Sequence, residues 1–454
     1  MPVRVWHLSA LASEGAKADA KPVRLPGDDR GDPPLRRCLI LLAIMGAWHA
    51  MPLPAEPPAR GPGNRVRLDE NRILEINGRK VFPIGFTLGP PPDGKTPEGK
   101  DALAELHDAG ATFLRTGPWG DAKWDDAGFA QERRRLDAAA KHGLYTWTFL
   151  DEAAGVPEGD AGREALLRKV VAAFKDHPGL GAWKGADEPS WGKRPVAPLI
   201  RTHRLLKELD PDHPVVIIQA PRETNDDLRP YNDACDIVGT DIYPIAYPPG
   251  HHSDRPNKDL SMVGDFTRSM RELAGDKLGV WMTLQIAWSG VLNEGKTLRF
   301  PTFPQERFMA YQAIIAGARG LMFFGGHAPK ALSPEDAALG WNWNFWRQVM
   351  RPVLEEIGDK SPLQPALVAA DSKIPVTSAG AEGVEFVVRE AGKDLFIIAC
   401  LRDAATVQVK FTGLPPDLGE GELMFELPRK VIAKDGIFTD WFGPYEVHVF
   451  RFRR

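Results

Sequence analysis

Cysteine is scarce in this chain. Three occur in 454 residues, Cys38, Cys235 and Cys400, and no CxxC or Cys/His spacing frames a metal or redox site. Cys235 and Cys400 lie in apolar, strand-like runs, so they are expected as buried free thiols, and nothing supports a disulfide between them. An excess of either charge is missing too. The 57 basic and 61 acidic side chains leave a net charge of −4, which gives no reason to expect nucleic acid or an anionic membrane as partner. Tyrosine is also short, six against 13 tryptophans. Tryptophan packs cores, and it also offers flat faces to sugar rings. The last shortage is of long apolar runs. The one near the N-terminus, residues 38–47, falls well short of the ~20 residues that a spanning helix needs.

What surrounds that run is informative. Residues 1–35 are charged and proline-rich, Arg36 and Arg37 precede the run, and small residues and prolines follow it. This is the pattern of a secretory signal peptide, with cleavage expected near Ala50 or Ala55. The long polar lead suggests a true start downstream of Met1, or an unusual signal. Residues 1–59 are therefore read as signal peptide and linker. The mature chain is expected to be secreted or periplasmic and not inserted in a membrane. The pair Asn77-Gly78, between "RILEI" and "RKVF", predicts a hairpin.

From there, short apolar runs alternate with helical patterns for almost 300 residues. Eight strands are expected at 82–88, 112–118, 144–150, 180–187, 214–220, 235–243, 279–288 and 320–326. The segments "FAQERRRLDAAAKHG", "GREALLRKVVAAFKDH", "APLIRTHRLLKELD" and "PQERFMAYQAIIAGARG" carry apolar residues at helical spacing. A closing helix is expected in "NFWRQVMRPVLEEIG". Strict strand–helix alternation implies a parallel sheet, and eight repeats over residues 60–360 fit a (β/α)8 barrel. A doubly wound open sheet would carry a Gly-rich phosphate loop after the first strand, and "GFTLGPPPDG" lacks that form. Residues 361–454 change texture to strand runs broken by Gly, Asp and Pro, and predict a small antiparallel β-sandwich.

A barrel gathers its function at the C-terminal ends of its strands. Those ends carry Arg115 and Trp119, then Trp147, Asp151 and Glu152, then Asp187, Glu188 and Trp191. Further round come Asp241 and Tyr243, then Gln285 and Trp288, then His327. Carboxylates for acid/base work and aromatic faces for ring surfaces suit a carbohydrate. Each residue also has a plainer reading. Asp187 could cap a following helix, with Pro189 in its first turn. Asp241 could bond backbone amides, and Arg115 could pair with a structural carboxylate. Trp147, Trp183 and Trp288 could be core, while Trp341 in "GWNWNFW" is the tryptophan of that cluster placed near the mouth. His251 and His252 read as loop residues, since a metal site would need partners that are not evident. No cofactor is expected.

The phrases "LEINGRKVFPIGF", "FLRTGP", "WKGADEP", "DIVGTDIYP" and "FMAYQAIIAGARGLMFFG", in this order, resemble the (β/α)8 glycoside hydrolases with the acid/base on the fourth strand, often called clan A. The resemblance covers roughly residues 65–454 and includes the C-terminal sandwich. It implies a glycosidase of glycans or oligosaccharides, with Glu188 as the general acid/base. It also implies that Arg115 orients a nucleophile and that Tyr243 assists. Two departures stand out. Asp187 occupies the place of an asparagine, and Gln285 stands where the resemblance implies the nucleophilic glutamate of the seventh strand. Three repairs are open. Asp241, Glu152 or Glu294 could serve as nucleophile or as the base of an inverting pair. The substrate could assist itself, with Gln285 orienting a substituent. Or the site binds glycans without cleaving them.

Overall fold

The structure, a computed structural model, describes residues 63–246, 252–287 and 297–454. The expected signal peptide, Cys38, His251, Trp288 and Glu294 lie outside the described residues.

The chain first folds a three-stranded antiparallel sheet, β1 (Val66–Leu68), β2 (Leu74–Ile76) and β3 (Arg79–Val81). Asn77 (φ 52°) and Gly78 (φ 82°) turn β2 into β3. Two consecutive positive φ values are what a two-residue hairpin needs, and Asn and Gly tolerate them best. The buried face of this sheet packs Leu74, Ile76 and Val81 against Phe113, Trp147, Trp281 and Met322, inward residues of the barrel strands.

The barrel comprises β4 (Ile84–Thr87), β5 (Phe113–Thr116), β6 (Tyr145–Phe149), β7 (Leu180–Asp187), β8 (Val215–Gln219), β9 (Ile237–Thr240), β10 (Gly279–Gln285) and β11 (Gly320–Phe324). They form one closed parallel sheet in chain order. All eight lie within the segments that the sequence marks. Between them run α1 (Ala102–Asp108), α2 (Asp126–Lys141), α3 (Ala161–Phe174), α4 (Val196–Leu209), the short α5 (Asn225–Leu228), α6 (Met262–Ala274) and α7 (Phe303–Ile315). After β11 come α8 (Pro334–Leu339), α9 (Trp343–Phe345) and α10 (Arg351–Ile357). The expected closing helix is not uniform. A π-turn at Trp346–Met350 separates α9 from α10. Pro352 lies just beyond it and has no N–H for the carbonyl one turn back, which favours such an irregularity.

The C-terminal part is two antiparallel sheets. One holds β12 (Thr377–Ala379), β15 (Val407–Thr412) and β18 (Phe438–Phe442). The other runs in the order β13 (Val384–Ala391), β14 (Asp394–Leu401), β19 (Val447–Arg453), β16 (Gly419–Met424) and β17 (Lys430–Ala433). Phe411, Phe438 and Phe450 fill the space between the sheets. β14 is apolar on both faces for a reason. Leu395, Ile397, Ala399 and Leu401 face the sandwich core, while Phe396, Ile398 and Cys400 join the core around the barrel helices. Polar ties cross the same seam, from Arg307 to the Val447 carbonyl at 2.9 Å and from Gln312 to Glu385 at 3.0 Å. Cys235 and Cys400 are buried free thiols. No helix among the described residues is long and apolar enough to cross a membrane.

Candidate active site

The carboxylates at the barrel mouth owe their placement to an irregularity in β7. Against β8, Lys184 pairs with Val216 and Asp187 with Ile218. Three steps along β7 thus match two along β8, which is a bulge. In a regular strand Lys184 and Asp187 would face opposite ways. With the extra residue they share a face, and Lys184 Nζ donates to Asp187 Oδ1 at 2.5 Å. This pairing, and the turn that follows instead of a helix, replaces the helix-capping role weighed for Asp187; α4 begins only at Val196.

Glu188 follows with φ +40°. Its N–H still bonds the Ile218 carbonyl at 2.8 Å, but the left-handed backbone turns its side chain from the strand's alternation. Such a conformation costs a non-glycine residue about 1–3 kcal/mol and persists only where the surroundings impose it. Leu88 (φ 64°) and Asp151 (φ 48°) show the same strain just beyond β4 and β6. Strain therefore collects on the C-terminal rim.

Glu188 is half-buried and lies beside Asp241, which is 8% exposed and immediately follows β9. Burial raises the Glu188 carboxyl, and the neighbouring Asp241 and Asp187 raise it further, to about 10. Burial, then Asp187, raises Asp241 to about 7. Two neighbouring carboxyl groups titrate as a pair, so these values belong to the pair. Asp187 behaves oppositely. Its side chain is 41% exposed, so what burial would add is outweighed by Lys184 and Arg115 beside it, which hold it below the ordinary value. The mouth thus keeps one carboxylate charged and its sequence neighbour protonated.

Tyr243 is buried beside Asp241, stacked between Phe324 (centroids 5.6 Å apart) and His252 (4.3 Å). His252 Nε2 lies 3.8 Å from Asp241 Oδ2. Arg115 is 3% exposed, with its guanidinium carbon 4.6 Å from the Trp119 ring and 4.4 Å from that of Phe149. Trp119 is 39% exposed and meets His327 edge-on at 5.9 Å. Asp151 is half-buried, and burial together with Glu152 raises its carboxyl. Glu152 is exposed and accepts from the Trp124 N–H at 3.2 Å.

Three other residues named from the sequence are placed away from this cluster or turned from it. Trp147 is fully buried among the inward residues of the barrel, where it lies beneath the site with its ring 5.5 Å from Lys184 Nζ. Trp341 is 1% exposed and packs edge-on against Phe86 and Trp343, both at 5.2 Å. Gln285 is fully buried, and its amide is spent on backbone. It accepts from the Ile245 N–H at 2.7 Å and donates to the Ile245 carbonyl at 3.0 Å.

Sequence reasoning passed over Lys184 and read His252 only as a loop residue. Lys184 is 2% exposed, with Nζ 5.1 Å from the Phe149 ring. A lysine inside an apolar strand was visible in "WKGADEP", since lysine is almost never buried without a partner. His252 carried no comparable mark. Among the described residues, no group of three or more His, Cys, Asp or Glu side chains is arranged to hold a metal.

No protein-family model matches the chain, and no curated protein matches it in sequence. Solved structures do match. One, described as a glycoside hydrolase, shares 13% identity over 86% of this chain and 97% of its own, with a TM-score of 0.55. A glycoside hydrolase family 5 structure from Bacteroides vulgatus shares 13% over 86% of this chain and 93% of its own, at 0.56. An alpha-amylase from Geobacillus thermoleovorans, complexed with acarbose, shares 11% over 83% and 100%, at 0.52. At these identities the likeness is one of fold. The chain has the (β/α)8 barrel fold of these structures, followed by a C-terminal β-sandwich.

Proposed function

We propose that this protein is an exported glycoside hydrolase with Glu188 as its general acid/base. One observation carries the reading. At the end of the fourth barrel strand the half-buried Glu188 sits beside Asp241 and Asp187, and burial and these two carboxylates raise its affinity for a proton. A glycosidic oxygen leaves only if a proton reaches it, and a carboxyl group that is still protonated at working pH can supply one.

Asp241 works with Glu188 as one proton-holding unit. Asp241 sets the affinity of Glu188 for its proton; once that proton has gone to the leaving oxygen, the water that adds to the anomeric carbon gives up a proton that restores the Glu188 carboxyl group. Arg115, Trp119, Asp151, Asp187 and Tyr243 would line the sugar site. A glycan-binding protein on the same scaffold is the second reading, favoured by Gln285, which supplies no nucleophile.

The pH–rate profile on a panel of aryl glycosides tests the proposal. Activity should rise as the pair loses its first proton near 7 and fall as it loses the second near 10, giving a mildly alkaline optimum. In Asp241→Asn the negative neighbour is gone, so the alkaline limb should move down by about one to two pH units. An alkaline limb unmoved by that change would detach Glu188 from the profile. A wild type that cleaves no glycoside yet binds one tightly would favour the binding protein.

A further inference from the structure

Arg115 poses an unanswered demand. The clan A resemblance gives a second-strand arginine a carboxylate to orient, at the end of the seventh strand. Here that position is Gln285, whose amide faces the Ile245 backbone. Arg115 is nonetheless buried, and its Nε and Nη2 atoms have no hydrogen-bond partner. Asp187 and Asp151 act on it through space. Nε–H and Nη2–H form one edge of the guanidinium plane, spaced to meet the two oxygens of a single carboxylate. A buried charge left without such a partner is costly, so a ligand that supplies one is favoured.

The aromatic neighbours of the guanidinium fit a sugar acid. Trp119, stacked over the guanidinium, is the partly exposed ring that can cover a sugar face. His327, edge-on to Trp119, has a buried Nδ1 with no partner. Burial and the Arg115 charge lower its imidazole to about 4, so it is neutral near pH 7 and adds no second cation.

We infer that Arg115, with Trp119 and His327 beside it, receives the carboxylate of an acidic sugar, so that the glycan recognised at this mouth contains uronic acid. This rests on the reading of the mouth as a glycan site. It gives the buried arginine the partner that the seventh strand no longer provides, and takes that partner from the substrate.

Calorimetric binding to the full chain carrying Glu188→Gln tests the inference with cleavage suppressed. The probes are the methyl glycosides of glucuronate and galacturonate, their neutral counterparts, and galactose 6-sulfate. At least one uronate should bind 10-fold or more tighter than its neutral counterpart, a ratio within the range expected of a paired, charge-assisted contact. Adding Arg115→Lys keeps the charge but removes the two-donor edge, and should abolish the preference. Trp119→Ala, at an exposed ring, should weaken acidic and neutral sugars alike and leave their ratio. Neutral sugars that bind as tightly as every uronate would overturn the inference, and so would a preference that survives Arg115→Lys. Tighter binding of the sulfated sugar than of the uronates would overturn the carboxylate assignment. Wild type that cleaves uronosides no faster than Glu188→Gln would instead refute the role of Glu188, with the uronate preference still standing.

Discussion

Glu188→Gln is expected to lower turnover by about two to four orders of magnitude on any glycoside the wild type cleaves, the usual worth of a positioned general acid. The same change should make the protein more stable at neutral pH. The folded state holds the Glu188 carboxyl at about 10, above its ordinary 4.5. A carboxyl raised on folding is neutral in both states below 4.5 and therefore costs nothing there. Above 4.5 the unfolded chain ionises and the folded chain does not, so folding loses stability as pH rises towards 10. At pH 7 that loss is on the order of 3 kcal/mol. Glutamine never ionises and removes the loss. Thermal unfolding at pH 4.5 and pH 7.5 reads it. The variant should match the wild type at the lower pH and exceed it by several degrees at the higher. A variant as active as the wild type, or no more stable at pH 7.5, would sink the assignment.

Restoring an acidic residue to the seventh strand should fail. Gln285→Glu places a carboxyl group against both the N–H and the carbonyl of Ile245, at a fully buried position. Ionised, it would set a negative oxygen against the carbonyl oxygen, with burial adding to the cost. Protonated, it can imitate the amide. Its affinity for the proton is therefore raised in the folded state. The loss of stability should be small near pH 4, then grow by about 1.4 kcal/mol per pH unit until the folded group ionises. Activity should not increase. Denaturant unfolding across pH 4–8, with parallel assays, decides it. A variant equally stable at both ends, or one that gains turnover, would show that Gln285 is not bound to backbone as described.

Much of the architecture was legible from the chain. The eight strands announce themselves as apolar runs at regular spacing, and Asn77-Gly78 marks the first hairpin, because these are local properties of backbone and side chain. The mouth was legible only as an inventory. That Asp187 and Lys184 share a face depends on the bulge in β7, which Gly185 marks without specifying, since a glycine inside a strand also serves close backbone approach. That Gln285 serves Ile245 depends on where the loop after β9 returns, a contact across 40 residues. The tryptophans show the limit of composition. Trp119 faces solvent, whereas Trp147 and Trp341 are buried, and neither strand period nor position in the motif separates the three.

β14 carries a consequence for protein engineering. Because one of its faces completes the sandwich and the other completes the packing around the barrel helices, the C-terminal sheets are not an interchangeable accessory. A graft of this barrel onto another scaffold, or the exchange of the sandwich for a carbohydrate-binding module, would uncover Phe308 of α7, which packs against Tyr445, and leave Arg307 and Gln312 without their partners Val447 and Glu385. The unit of inheritance and of design is the barrel together with its sandwich.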